Sequence, residues 1–446
     1  MEKERIAIEN EILERLAGKI FLLQDLANKR EIIFQKFLEV YNSTSGQSLV
    51  SKLQNLDLET LFSQFLSYGV IDELLADPDV EDIMINHLSP IYVHKTKSGL
   101  VKTEKKFASR EELDLFIKKL IIFSGRKTIN KINNIELAEI KGRGNIVYSP
   151  FGPQITITRA KERPLSIIEL VENGTLNAEI TGQLWLYVEG LGIKPANIII
   201  SGGPGTGKST LLNALFSFFP VNDRIVIIED TLELNTDLEE NCSRLESDED
   251  TSLADLVKNS LRMRPDRIIV GEVRGQEAQD LMTAMNIGKY CMGTVHASTA
   301  RETIIRLQNE PMNVSEVLVN LVDVFIIMRR YSLNGKISRV VGELVETAGR
   351  TEKIILLSSL WTYDLSSASF CESAVSSEYR DRLAQVSGKT SVEIMEEVTV
   401  RANVIRLLIK KGIKNMKDVT AFCRKYHSDA QAAIEELGAK RKDLVR

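Results

Sequence analysis

The residues best suited to chemistry lie in one stretch, Ile198 to Ser209, which reads IIISGGPGTGKS. Gly202, Gly207, Lys208 and Ser209 satisfy the pattern G-x-x-x-x-G-K-[ST]. Glycines let backbone N–H groups turn inward around a phosphate, where a Cβ would clash. The candidate cradle is therefore Gly202, Gly203, Pro204, Gly205, Thr206 and Gly207, continued by Lys208, Ser209 and Thr210. An apolar helix, LLNALF, follows, and its positive dipole end adds to the attraction for an anion. Lys208 is placed to reach the β- and γ-phosphates, and Ser209 offers a hydroxyl to Mg²⁺. A strand-like lead-in and a helix after it disfavour the alternative, a glycine-rich loop that binds nothing.

Hydrolysis of a nucleotide also needs carboxylates to hold the metal and position a water. RIVIIEDTLEL places Glu229, Asp230 and Glu233 after an apolar strand, and RIIVGEV places Glu272 after a second. An ordinary second nucleotide motif ends in Asp where this chain has Gly271, so Glu272 must do that work. GTVHA brings His296 to the end of another apolar strand, as a structural residue or a sensor of the γ-phosphate. Arg262, Arg264 and Arg267 precede the Glu272 strand, and Arg143 and Arg159 lie upstream. Each suits phosphate charge, and each could equally be a surface or carboxylate-paired arginine. No N-K-x-D sequence follows the loop, which makes adenine the default base.

These residues need a framework. From Ala178 to Thr347, apolar strand cores (NIIIS, RIVIIED, RIIVGEV, CMGTVHA, VFIIM, RVVGELV) alternate with helices. That pattern predicts a mostly parallel sheet buried on both faces, with strand C-termini along one edge. Residues 57–160 read as α+β: short strands at IMIN and IYVHK, a helix at REELDLFIKKLIIFSG, and two strands around the Ser149–Pro153 turn. In QITITR, Ile155 and Ile157 should face one side, and Thr156 and Thr158 the other. Residues 161–177 look like a linker with a short helix.

Residues 5–41 read as helix with an a/d seam of Ile6, Leu13, Leu16, Ile20, Leu23, Ala27, Phe34, Phe37 and Tyr41. The seam could pack on itself, on the next domain, or dock a partner. STSGQS after it is a plausible hinge. From Gly349 the pattern becomes helical. The expected organisation is thus α/β, with segments 1–45 (helical), 57–160 (α+β), 161–177 (linker), 178–348 (nucleotide domain) and 349–446 (small helical bundle).

Bulk properties narrow the function classes. The chain has 446 residues, 43% hydrophobic and 27% charged, with a net charge of −5. Two to four domains are expected, and the acidic total offers nothing to nucleic acid overall. Four dispersed cysteines form no C-x-x-C pair, against a zinc ribbon or disulfide framework and in keeping with a reducing cytoplasm. The N-terminal residues are charged, and no apolar run approaches membrane-spanning length. Membrane association is expected only through a partner or a surface.

Taken together, GGPGTGKST, IIEDTLEL, RMRPDRIIVGEVRGQEAQDLMTAMNIG and MGTVHAS resemble the Walker A, aspartate, Walker B and histidine boxes of the type II/type IV secretion ATPase superfamily. Upstream, GVIDELLADPDVEDIMIN resembles the opening of that family's N-terminal domain, and SPFGPQITITR its last strand before the linker. EDTLEL, the helical tail and the missing four-cysteine module make the chain most similar to the archaeal type IV filament and tight-adherence pilus branches. The resemblance implies a RecA-like phosphate-loop domain that uses ATP and Mg²⁺. It implies a homo-oligomeric ring, usually a hexamer, at the cytoplasmic face of an integral membrane platform protein. Turnover would drive pilin or filament assembly, or secretion. By position, Lys208 and Ser209 would bind phosphate and metal, Glu233 and Glu272 would position water and Mg²⁺, and His296 would sense nucleotide. Arg143 and Arg159 match arginines that reach the γ-phosphate, although GRGNIVYSP is shorter than the usual approach. Retraction motors share all four boxes. A nucleic-acid motor and a non-hydrolysing scaffold are the rivals.

Overall fold

The computed structural model describes the chain apart from residues 1, 21–24, 44–56, 97, 141, 160–162, 235–240, 248–249, 334–335, 352–353, 374–376 and 446, and the side chains of 138, 333 and 336. The chain forms two compact units, Met1–Glu162 with Gly335–Ile337, and Arg163–Asn334 with Ser338–Arg446.

The first unit is built on a six-stranded sheet. Its strands are β1 (Val80–Ile85), β2 (Ile91–Lys95), β3 (Gly99–Lys102), β4 (Ile132–Leu137), β5 (Gly142–Ser149) and β6 (Gly152–Arg159), in the order β3-β2-β1-β6-β5-β4. All described pairings are antiparallel. Ile155 and Ile157 lie opposite Ile85 and Ile83 on the buried face, while Thr156 is exposed, as alternation requires. Strands β3 and β4 are additions that the sequence pattern did not single out.

The amino-terminal seam is not one helix. It breaks into Glu2–Leu16 and Leu26–Tyr41, with Gly18 at φ +70 ending the first and Asp25 capping the second. Leu13, Leu16, Ile20 and Phe37 are buried in the same core as the sheet and helix Arg110–Phe123. Ala27 is exposed where the second helix starts, and Leu23 lies outside the described residues. The seam is thus core packing within this unit. Glu9 and Lys119 form a buried ion pair at 3.0 Å across that packing. All but Ser43 of the expected hinge lies outside the described residues.

The second unit holds a nine-stranded sheet, of order β15-β14-β13-β12-β7-β11-β10-β8-β9. Its strands are β7 (Ile198–Gly202), β8 (Ile225–Glu229), β9 (Cys242–Glu246), β10 (Arg267–Val270), β11 (Tyr290–Val295), β12 (Val324–Leu333), β13 (Lys336–Thr351), β14 (Ile354–Asp364) and β15 (Ser369–Glu372). Strands β12, β7, β11, β10, β8 and β9 run parallel, and β13, β14 and β15 close the sheet as antiparallel neighbours. Both faces are buried, as the continuous apolar runs require. Ile198, Ile200, Ile225 and Ile227 pack in one core, while Ile199, Val226 and Ile228 pack in the other.

Two expectations are corrected here, and one strand goes beyond them. Strand β9 was not anticipated; it is a half-buried edge strand with little apolar signal. The stretch from Gly349 is not helical throughout, because β14 and β15 extend the sheet first. Their alternation is interrupted in SSLWTYD, where the consecutive Ser358 and Ser359 and Thr362 are all half-buried. Helices Glu378–Ser387, Ser391–Lys410, Met416–Ser428 and Ala430–Glu436 follow, and Val404, Ile405 and Val419 share a core with Ile198 and Ile200 rather than forming one of their own. Residues 163–177 do not behave as a linker either. Helix Ile167–Glu172 has a capping box on Ser166 and Glu169, and buries Ile167, Ile168 and Leu170 in that core.

Helix Ala178–Glu189 crosses helix Ser391–Lys410 at Gly182. A Cβ there would lie 2.7 Å from Val398 O and 2.8 Å from Ala402 N, both immobile backbone atoms. Gly182→Val is expected to destabilise the fold by about 1–3 kcal/mol in urea unfolding, despite a better helix propensity than glycine. Among the described residues, no helix is long and apolar enough to cross a membrane.

Candidate functional site

Parallel register brings the C-termini of β7, β8, β10 and β11 to one edge. Ser201 pairs with Val295, Val270 with Ile228, and Gly293 with Val270. The loop after β7 begins at Gly202, where a Cβ would lie 2.6 Å from Thr206 Oγ1 and 2.7 Å from Met328 O. Only glycine fits that approach. Gly205 and Gly207 adopt φ of +67 and +95. Helix Lys208–Leu215 starts directly behind them.

Lys208 is buried and lies back along the loop. Its Nζ donates to Gly202 O at 3.0 Å and Gly203 O at 3.1 Å, and sits 3.4 Å from His296 Nδ1. Burial lowers the Lys208 pKa, opposed by the charges of Glu272 and Glu233. The other ring nitrogen of His296 lies 3.4 Å from Glu272 Oε1. Burial and then Lys208 hold the His296 pKa below its ordinary 6.5, against Glu272. Ser209 Oγ is 3.5 Å from Glu233 Oε2. Loop, β8, β10 and β11 therefore each contribute a group to one edge: Lys208 and Ser209, Glu233, Glu272, and His296.

Glu229 plays a different part from Glu233. It is buried, and its Oε1 accepts from the N–H groups of Glu233 and Leu234, each at 3.0 Å. Those bonds fix the turn that presents Glu233. Arg244 Nη2 lies 3.6 Å from its other oxygen. Glu229 also explains Gly271. A Cβ at residue 271 would be 2.9 Å from Glu229 Cγ, so the place where a strand-end Asp side chain would stand is filled from β8. Asp230 is drawn away from the loop by Ser247 Oγ, at 2.6 Å, and by Arg274.

Burial pushes the Glu229 pKa up to about 7, partly offset by its two N–H donors and Arg244. A carboxyl whose folded value exceeds its unfolded value stabilises the fold below about 4.5, and this contribution is lost as pH rises through about 7. Glu229→Gln should lack that loss. Comparing urea midpoints at pH 5 and pH 8, wild type should fall relative to the variant by up to ~3 kcal/mol.

The remaining arginines separate. Arg267 is buried, ion-paired with Asp223 at 2.5 Å and stacked 4.7 Å over Phe219. It is a structural residue, not a phosphate ligand. Arg262 and Arg264 are exposed. Arg143 and Arg159 belong to the first unit. Arg159 Nη1 donates to Asp77 O at 2.6 Å, and Arg143 stands on β5 between Glu136 and Thr158. Sequence reading did not single out Arg244 or Arg339, which faces the loop from β13 with Nε donating to Gly205 O at 2.9 Å. Neither lies in a motif, and no spacing marks them.

Comparison with known proteins gives a consistent assignment. The family model described as "Type II/IV secretion system protein" matches residues 138–437. An uncharacterized protein of Methanocaldococcus jannaschii is 36% identical over 49% of this chain and 32% of its own length. The conjugal transfer protein TrbB of Rhizobium radiobacter is 33% identical over 43% of this chain and 60% of its own. Both matches span less than two thirds of the relative. Among solved structures, the Yersinia pseudotuberculosis ATPase DotB aligns with a TM-score of 0.48 and 16% identity, over 83% of this chain and 94% of that one. With the family model covering well over half its length, the chain belongs to the type II/IV secretion system protein family.

Proposed function

We propose that this chain is an ATP-hydrolysing motor with a RecA-like nucleotide domain. One observation carries the reading: Lys208, Ser209, Glu233, Glu272 and His296 meet at one sheet edge through contacts of 3.4–3.5 Å. The residues present suit the implied ligands. A glycine turn too tight for a Cβ at Gly202 suits a phosphate, and a hydroxyl beside a carboxylate, Ser209 with Glu233, is a hard-oxygen pair of the kind Mg²⁺ takes. Bound Mg²⁺ would neutralise charge on the phosphates. The loop N–H groups and Lys208 would grip the triphosphate, Lys208 leaving its loop carbonyls to do so. Glu272 would orient and deprotonate the attacking water. Uncharged His296, between Lys208 and Glu272, would register which of them the γ-phosphate engages. Arg143 and Arg159 are assigned to the γ-phosphate during turnover by the family resemblance.

In this reading the protein works as a homo-oligomeric ring, a hexamer as in the family, at the cytoplasmic face of a membrane platform protein. Its work is assembly of a pilus-like filament or protein secretion in the archaeal filament and tight-adherence branch. Retraction is the second outcome within the same machinery. Purified protein should retain labelled ATP with Mg²⁺ and release phosphate, faster with vesicles carrying the platform protein. Folded, oligomeric protein that retains no ATP would refute the reading, and stimulation by single-stranded DNA instead of the platform would redirect it to nucleic acid.

A further inference from the structure

We infer that Arg339 is a positioning residue that holds the phosphate loop in its ligand-receiving shape, so that the β12–β13 pair sets nucleotide affinity; this rests on the loop being the nucleotide site.

Lys208 folds the loop by donating to Gly202 O and Gly203 O, and Thr206 Oγ1 also donates to Gly203 O at 2.8 Å. An arriving phosphate takes Lys208 away from both carbonyls. The bond from Arg339 Nε to Gly205 O comes from outside the loop and does not compete with the ligand. It therefore persists when Lys208 leaves. It also keeps a carbonyl oxygen turned away from the anion, where an inward flip would repel it. The Arg339 stem backs the other strained position as well, its Cδ lying 3.6 Å from where a Gly207 Cβ would be, beside Met328 Cε at 3.7 Å.

The strand that presents Arg339 is held firmly. Val340 and Val341 are buried, and Val341 N donates to Thr175 O at 2.8 Å. Arg329 on β12 pairs with Glu343 on β13, across Gly342, where a Cβ would meet Arg329 Cδ at 2.6 Å. Met328 lies in register with Gly202 on β7. The guanidinium thus reaches the loop from a fixed backbone, so the bond orders one side chain and not the strand that carries it.

The test uses the full chain with Arg339→Met, which keeps an apolar stem without a donor, and Arg339→Lys, which keeps one. Labelled ADP with Mg²⁺ should bind Arg339→Met about 10- to 100-fold more weakly, the loss of one charged hydrogen bond. In ATP turnover, KM should rise more than kcat falls. Amides of Gly203, Gly205, Thr206 and Gly207 should exchange faster in nucleotide-free Arg339→Met, and Arg339→Lys should recover most of both effects. ADP affinity within twofold of wild type, or unchanged loop exchange, would overturn the inference. Wild-type protein that binds no ADP would instead refute the nucleotide reading. The exchange comparison would still decide whether Arg339 holds the loop.

Discussion

Glu272→Gln should retain ATP with Mg²⁺ yet turn it over about 10²- to 10⁴-fold more slowly, the range associated with losing a general base. Glutamine keeps the shape and can still accept from His296, so the edge should remain assembled. What it cannot do is take a proton from water. Lys208→Ala provides the contrast. It removes the cation buried beneath the loop, and binding itself should be lost, with turnover falling in consequence. Equilibrium retention of labelled ATP, followed by single-turnover phosphate release, separates the two. Normal single-turnover hydrolysis by Glu272→Gln would move the base to Glu233, the other carboxylate at this edge. A pH profile adds a check. Because burial and Lys208 hold His296 below its ordinary value, protonation of that ring should inhibit only on the acid side of 6.5.

Much of this edge was legible in the sequence because its parts sit where short-range rules are strong. Gly202, Gly207 and Lys208 follow a local pattern, and Glu272 and His296 end apolar runs that could only be buried strands. Residues acting across the sheet left no such trace. Glu229 read as one acid of three, and only the approach of its Cγ to Gly271 shows why the strand after RIIV ends in glycine. Arg267 read as a phosphate candidate, yet it was claimed by Asp223 and Phe219. The six parallel strands were mostly visible from β-branched runs. Strand β9 was not, because an edge strand buries too little to need an apolar pattern. Strands β14 and β15 were obscured for a related reason: the consecutive Ser358 and Ser359 interrupt the apolar run of β14, and β15 is four residues long with none of them buried. Most described residues of the amino-terminal seam are buried or half-buried, but Gly18 breaks it, Ala27 is exposed, and tertiary packing decided the rest.

Arg401→Met is expected to destabilise the second unit by about 3–5 kcal/mol, the cost of leaving a buried charge network without its cation. Arg401 is buried on helix Ser391–Lys410, with Nη2 donating to Glu189 Oε2 at 3.0 Å and Nη1 bonded to Glu397. Its guanidinium lies 5.6 Å from the Trp185 ring centroid and 5.3 Å from that of Tyr426. Burial alone would push the Glu189 pKa up, but Arg401 and His427 pull it down to about 2. A carboxyl held below its unfolded value adds stability above about 4.5 that is lost as pH falls through about 2. Removing Arg401 removes most of that pull, and the penalty should therefore be larger at pH 7 than at pH 3. Glu189 keeps His427 at 2.9 Å, and Glu397 keeps Arg441, so neither acid is left wholly unpaired. The double variant Arg401→Met, Glu189→Gln should recover part of the loss, because the buried carboxylate left with His427 as its remaining partner goes with it. Urea unfolding of the two variants at pH 7 measures both terms. A single variant within 1 kcal/mol of wild type would mean that apolar packing, not the charges or the guanidinium–ring contacts, joins the two helices.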